Sequence, residues 1–227
     1  MDFSVPTLPL QFSRRSPDEM VVEAAAFRDH LARRRSVRHF SPDSIPLDVV
    51  RACIASACTA PSGANKQPYT FCLITDPAIK LAIREAAERE EYENYHGRMP
   101  AEWVRELQPL GTDHHKPHLE IAPALIAVFR KSWEPEADGT RARNYYVAES
   151  TGIAVGFLIA ALHQAGLACL THTPSPMDFL GRILGRPEHE KAYLLLPVGY
   201  PALDCQVPDI HRKTLNELLI EFPEENR

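Results

Sequence analysis

Hydrophobic and polar positions along the chain recur at two periods, and each change of period marks an element. Ser16-Pro17-Asp18-Glu19 opens a first helix, with Ser16 as cap, Pro17 at the first helical position and Glu19 closing a capping box. That helix is expected to reach about Arg34. A second follows Pro46, where Val49, Val50, Cys53, Ile54 and Ala57 share a face, and it stops before the turn Ala60-Pro61-Ser62-Gly63-Ala64. Tyr69 to Thr75 is dense in aromatic and branched residues and predicts a strand. Asp76-Pro77 starts a helix reaching about Tyr95, with Glu85 ahead of Arg89 at the favourable four-residue spacing.

Residues 97–120 have weak periodicity, with a short helix near Trp103-Val104 and a polar, histidine-rich loop. Such a stretch inside a domain is usually functional. Ala124 to Phe129 predicts a strand. Arg143 to Ala165 predicts the longest helix, apolar almost all round and therefore expected to be deeply buried. Its Gly152 and Gly156, one turn apart, permit close approach of another helix, in the core or between subunits. Gly166 reads as its C-cap. Leu167–Leu170 and Tyr193–Val198 predict strands, and Leu215–Ile220 an amphipathic segment in a tail from Pro201. No repeat or Gly/Ser linker divides the chain. One α+β domain spanning 1–227 is expected, with an N-terminal arm over 1–15.

Composition narrows the class. The net charge of −5 argues against nucleic-acid binding driven by bulk charge. Cys53, Cys58, Cys72, Cys169 and Cys205 are odd in number and show no Cys-x-x-Cys spacing, which favours free thiols and a reducing compartment. Met1 to Phe12 does not read as a secretory signal. The longest apolar run, Gly152 to Leu162, falls short of the ~20 residues a membrane span needs. A soluble, cytoplasmic chain with no membrane contact is expected.

The candidate chemistry begins at Arg33-Arg34-Arg35-Ser36-Val37-Arg38. Arginine forks make bidentate, charge-assisted bonds to phosphate, and Ser36 adds a neutral donor. The same run reads equally as a solvated basic helix end, favoured by the macrodipole. Neither a G-x-G-x-x-G nor a P-loop is present, so phosphate binding must rest on these arginines. His114, His115, His118 and Glu120 have metal-ligand types, but Lys116 and Pro117 interrupt them and no Cys partner fixes their geometry; no metal is expected. No nucleophile elbow surrounds Ser62.

Taken in order, Arg34-Arg35-Ser36-Val37-Arg38, Ala60-Pro61-Ser62-Gly63-Ala64, Thr171-His172-Thr173-Pro174, Leu196-Pro197-Val198-Gly199-Tyr200-Pro201 and Arg212-Lys213 resemble the FMN-dependent nitroreductase superfamily. Within it, Glu91-Tyr92-Glu93-Asn94-Tyr95 followed by Lys116 resembles the substrate lid of the iodotyrosine deiodinases, flavin-dependent reductive dehalogenases of halotyrosines. The resemblance implies a three-layer α/β/α sandwich with a mixed central sheet, forming an intertwined homodimer with FMN at the subunit interface. It implies an active-site lid over 91–120 and a C-terminal extension over 201–227.

Residue by residue, the resemblance implies that Arg34, Arg35, Ser36 and Arg212 hold the FMN phosphate and ribityl end. Val37 belongs to the same binding segment, and Arg38 lies near the pyrimidine edge, where a cation stabilises negative charge on the reduced ring. Pro61, Ser62 and Gly63 line the flavin. Thr171, His172 and Thr173 pass its other side, with the Thr173 hydroxyl at flavin N5, a bond taken to favour one-electron steps. The Ala64 N–H meets the substrate phenolate, which puts Ala64 with Thr173 among the catalytic groups. Glu91, Tyr95 and Lys116 close over the amino acid's ammonium and carboxylate. An external reductase or NAD(P)H, NADPH for instance, supplies the electrons.

A zwitterion needs one carboxylate and one ammonium, and Glu91 and Tyr95, four apart on a helix, share a face. Without the flavin motifs, Glu91 reads as one more acid on a solvated helix and Lys116 as a loop charge. Two positions depart from the family pattern. His172 stands where a small hydroxyl residue is common, and Lys66-Gln67-Pro68-Tyr69 lacks the usual tryptophan. The alternatives are a general nitroreductase or quinone reductase, and a non-enzymatic interaction domain.

Overall fold

The computed structural model describes residues 6–223. They divide into two compact units, one ending at Arg34 and one beginning at Arg35. In the first, α1 spans Pro17–Ala32. The Ser16 hydroxyl accepts the Glu19 N–H at 3.3 Å and the Glu19 carboxylate accepts the Ser16 N–H at 2.8 Å, the reciprocal bonds of a capping box. No residue of α1 is buried.

The second unit contains α2 (Leu47–Ala57), β1 (Tyr69–Ile74), α3 (Pro77–Glu93), α4 (Ala101–Leu107), α5 (His118–Ile121), β2 (Ala124–Lys131), β3 (Trp133–Pro135), β4 (Arg141–Arg143), α6 (Val147–Gln164), β5 (Ala168–Cys169), α7 (Asp178–Ile183), β6 (Glu190–Gly199) and α8 (Leu215–Leu218). The central sheet runs β1-β2-β6-β5 with antiparallel pairs, and a parallel bridge from Ser36 to Cys169 makes it mixed.

Period-two alternation along β2 builds the layers. Ala124, Ile126 and Val128 point to one face, where they meet Val50, Cys53 and Ala57 of α2 and Val155, Leu158 and Leu162 of α6. Leu125, Ala127 and Phe129 point to the other, against Ile83, Ala86 and Ala87 of α3 and Phe179 and Leu180 of α7. Helices thus cover both faces of the sheet, as expected of a three-layer sandwich.

Two local expectations are corrected. The long helix starts at Val147 rather than Arg143, because residues 141–143 pair with β3 and Tyr146 adopts a left-handed conformation at φ +50°. The local signal for that hairpin is Asp138-Gly139, with Gly139 at φ +84°. Secondly, α6 is buried on one face only. Ile153 and Phe157 on the opposite face are 43% and 44% exposed, and a Cβ added at Gly156 would meet no neighbouring element within 4 Å. By length and composition alone α6 is apolar enough to cross a membrane, with mean hydropathy 1.2 over 18 residues; its buried face belongs to the core against the sheet.

Candidate active site

Residues 36–38 and 169–173 are laid side by side by the sheet. The Val37 N–H donates to the Cys169 carbonyl at 3.3 Å, while His172 and Leu195 exchange N–H···O bonds of 2.8 and 2.9 Å. The extended backbone then alternates: Thr171 and Thr173 lie on the exposed side and His172 is buried.

A cavity of about 140 Å³ opens at this edge. Arg38, Thr171, His172 and Thr173 line one side, Glu91, Tyr95 and Lys116 another, and Trp103 and Leu107 supply apolar walls. The helix carrying Glu91 widens into a π turn over Asn94–Arg98, a local distortion frequent at functional sites. Tyr95 sits in that turn, and its hydroxyl donates to the Thr112 carbonyl at 3.2 Å. The Lys116 ammonium donates to Thr112 Oγ1 at 3.1 Å and to the Asp113 carbonyl, and lies 3.5 Å from the Glu91 carboxylate. Burial pushes the Glu91 carboxyl up and the Lys116 ammonium down from their ordinary values, and each partly holds the other back. The helix end and the 112–116 loop are thereby joined at the cavity.

The basic corner divides. The Arg35 guanidinium donates to the Pro208 carbonyl, which brings the start of the C-terminal segment to it. Ser36 is half-buried, Arg212 is exposed, and the Val37 side chain is buried with Phe40 and Ala122. Arg34 closes the first unit, its N–H bonded to the Leu31 carbonyl at 3.1 Å. This donor set, guanidinium groups followed by threonine hydroxyls along one edge, has the chemistry to hold a phosphate-bearing, flat heterocyclic cofactor.

Pro61, Ser62, Gly63 and Ala64 are not walls of the cavity. They form a turn in which Ala64, Asn65 and Gln67 all have positive φ, at +49°, +54° and +48°. Such clusters of unfavourable backbone mark clamps and binding turns. The turn is seated on the start of α6: the Gly63 N–H donates to Ser150 Oγ at 3.2 Å, and a Cβ at Gly63 would stand 2.9 Å from Tyr146 Cδ2. The residues expected to form one site therefore make two patches in a single chain.

Several contributors were hidden from the sequence. Thr112 and Asp113 hold the lysine, yet read only as polar loop residues. His118, weighed as a metal ligand, packs edge-to-face on His172 with ring centroids 5.8 Å apart, and both Nε2 atoms are buried without a hydrogen-bond partner among the described residues. Burial, with Lys116 and Arg38 nearby, pushes His118 down to about 4 and His172 well below its ordinary range, so both rings are neutral near pH 7. His114 packs against Tyr92 and His96 at ring distances of 5.3 and 5.7 Å.

Residues 31–200 match the model of the nitroreductase family. The chain is 54% identical over 215 residues to the iodotyrosine deiodinase of Haliscomenobacter hydrossis, covering 95% of this chain and 97% of that protein. It is 43% identical over 216 residues to the iodotyrosine deiodinase of Hydra vulgaris, covering 95% and 79%. A crystal structure of oxidized iodotyrosine deiodinase bound to FMN and 3-iodo-L-tyrosine superposes with a TM-score of 0.73 at 28% identity, covering 88% of this chain and all of that one. The chain belongs to the nitroreductase family and, within it, to the iodotyrosine deiodinases.

Proposed function

We propose that this chain is an FMN-dependent reductive dehalogenase that removes halide from 3-halotyrosines such as iodotyrosine. The observation that carries this reading is the buried Glu91–Lys116 pair, which closes a cavity lined on its other side by Arg38, Thr171 and Thr173. When bound, FMN supplies the two electrons of the reaction, in which a halotyrosine, two electrons and a proton give tyrosine and halide. The chain's own residues bind and orient. Arg35, Ser36 and Arg212 take the phosphate, Arg38 faces the pyrimidine edge, and the Thr173 hydroxyl meets ring N5. Glu91 receives the substrate ammonium, Lys116 its carboxylate, and Tyr95 closes beside them. Closure keeps water from the reacting centre.

We assign the second patch to a partner copy. In a homodimer the Pro61–Ala64 turn of one subunit meets the cavity of the other, and the Ala64 N–H holds the phenolate oxygen. The exposed Ile153 and Phe157 of α6, together with exposed Leu215, Leu218 and Phe222, supply apolar surface for that contact. The electrons come from an external reductase or NAD(P)H. Cys53, Cys58, Cys72 and Cys205, free thiols among the described residues, support work in a reducing compartment such as the cytoplasm.

The test is a titration of flavin fluorescence in the holoenzyme with 3-iodotyrosine, 3-bromotyrosine and tyrosine. Strong quenching by the halotyrosines is expected. Rapid turnover of nitroaromatics or quinones with no response to halotyrosine makes the protein a general reductase, and a colourless protein that fails to take up FMN makes it a non-enzymatic domain.

A further inference from the structure

Lys116 is held at both ends by acids from one helix. Glu91 faces its ammonium, and Glu88, one turn earlier on α3, accepts its backbone N–H through Oε1 at 2.7 Å. The other oxygen of Glu88 accepts from Arg84 Nη1 at 3.1 Å, and Arg84 Nε lies 2.8 Å from the Glu120 carboxylate just beyond the loop. Further back on the same helix, the buried Lys80 donates to the Glu120 and Ala122 carbonyls at 2.9 and 2.8 Å, tying down the end of α5. Lys80, Arg84, Glu88 and Glu91 thus form a ladder along α3 that grips residues 116–122 at each turn. Glu88 is not a wall of the cavity. Its place in the site is through the lysine alone.

We propose that Glu88 is a positioning residue for Lys116, and through it for the carboxylate of an amino-acid substrate. The inference rests on the halotyrosine reading above. A lysine side chain has four rotatable bonds, so an ammonium is only as well placed as the backbone from which it hangs. A carboxylate accepting a backbone N–H is a charge-assisted bond, and here Arg84 and α3 hold that carboxylate in turn. Glu88 thereby fixes the backbone from which the Lys116 side chain hangs. Without it, that backbone must be placed at the expense of binding energy, and the zwitterionic end alone bears the loss.

The test compares wild type, Glu88→Ala and Glu88→Gln as holoenzymes, measuring dissociation constants by flavin fluorescence for 3-iodotyrosine and for 2-iodophenol, which lacks the amino-acid group. Glu88→Ala is expected to weaken 3-iodotyrosine ten-fold or more while 2-iodophenol stays within two-fold. Glu88→Gln, whose amide oxygen can still accept the N–H, should fall between. Equal losses for both ligands, or none for 3-iodotyrosine, overturn the inference. If Glu88→Ala does not retain flavin, Glu88→Gln decides alone: a selective loss supports the inference, and an unselective or absent one overturns it. Wild type blind to 3-iodotyrosine overturns the halotyrosine reading itself, whereas normal wild-type binding with unchanged variants overturns only the role of Glu88.

Discussion

The Glu91 carboxylate and the Lys116 ammonium stand 3.5 Å apart with side chains 9% and 4% exposed. A buried pair of this kind is poor evidence for stability, because the desolvation of two charges offsets their attraction. Its value lies in what can replace it. On the proposed function, an α-ammonium and an α-carboxylate entering together would give each partner a new counter-ion, so one ion pair would be exchanged for two charge-assisted contacts.

Glu91→Gln should therefore weaken 3-iodotyrosine binding at least ten-fold, since a buried charge-assisted bond is worth about 1.5–3 kcal/mol. The loss should be read by fluorescence titration, with flavin content unchanged. Unaltered affinity would remove the lid from the reading.

Lys116→Ala separates the two enzymatic readings. Turnover of halotyrosine should drop at least ten-fold while reduction of a nitroaromatic, which has no carboxylate to hold, stays within about two-fold. Steady-state kinetics on both substrates checks it.

The pH dependence of folding should show the buried imidazoles. Above pH 6.5 His118 is neutral folded and unfolded, and contributes no pH dependence. Between 6.5 and its folded value of about 4, only the unfolded chain takes up the proton, so stability is lost as pH falls through that window. In full the loss is on the order of 3 kcal/mol. His172 is shifted in the same direction and adds to it. His118→Leu should flatten the dependence of urea-unfolding free energy between pH 7 and pH 5; an unchanged slope would show that His118 does not titrate in this way.

Gly63→Ala tests the second patch. The added Cβ meets Tyr146 Cδ2 at 2.9 Å and the Tyr145 carbonyl at 3.1 Å, and the carbonyl yields only if the backbone moves. A loss of roughly 1–3 kcal/mol is expected, together with weaker FMN retention, measured by thermal melts with and without added FMN.

Phe157→Asp combined with Ile153→Asp places charges on the exposed apolar face of α6. Sedimentation should then report a monomer that no longer retains FMN. A dimer with normal flavin content would move the interface elsewhere.

Much of this was legible in the residues themselves. The capping box at Ser16 and Glu19, the face of α2 and the Gly166 stop are short-range effects, so they could be read within one or two turns. The start of α6 could not. Arg143 suits a helix locally, and pairing with β3 and the left-handed Tyr146 overrule that preference. The burial of α6 was misjudged for a related reason: an all-round apolar helix does not reveal how much of its surface its own chain will cover.

The site divides along the same line. The chain by itself determined the chemical types, the arginine run, the Thr171–Thr173 pair and the acid Glu91 with Lys116, because charge and hydrogen-bonding capacity belong to residues. Only the folded chain decided which of them meet. It joined Arg38 to Thr171 and Thr173 through a parallel bridge, turned His172 inward onto His118, and placed the Ser62–Ala64 turn on α6, apart from the cavity. The physical reason is that sheet pairing and ring packing act between residues distant in sequence, where no local pattern records them.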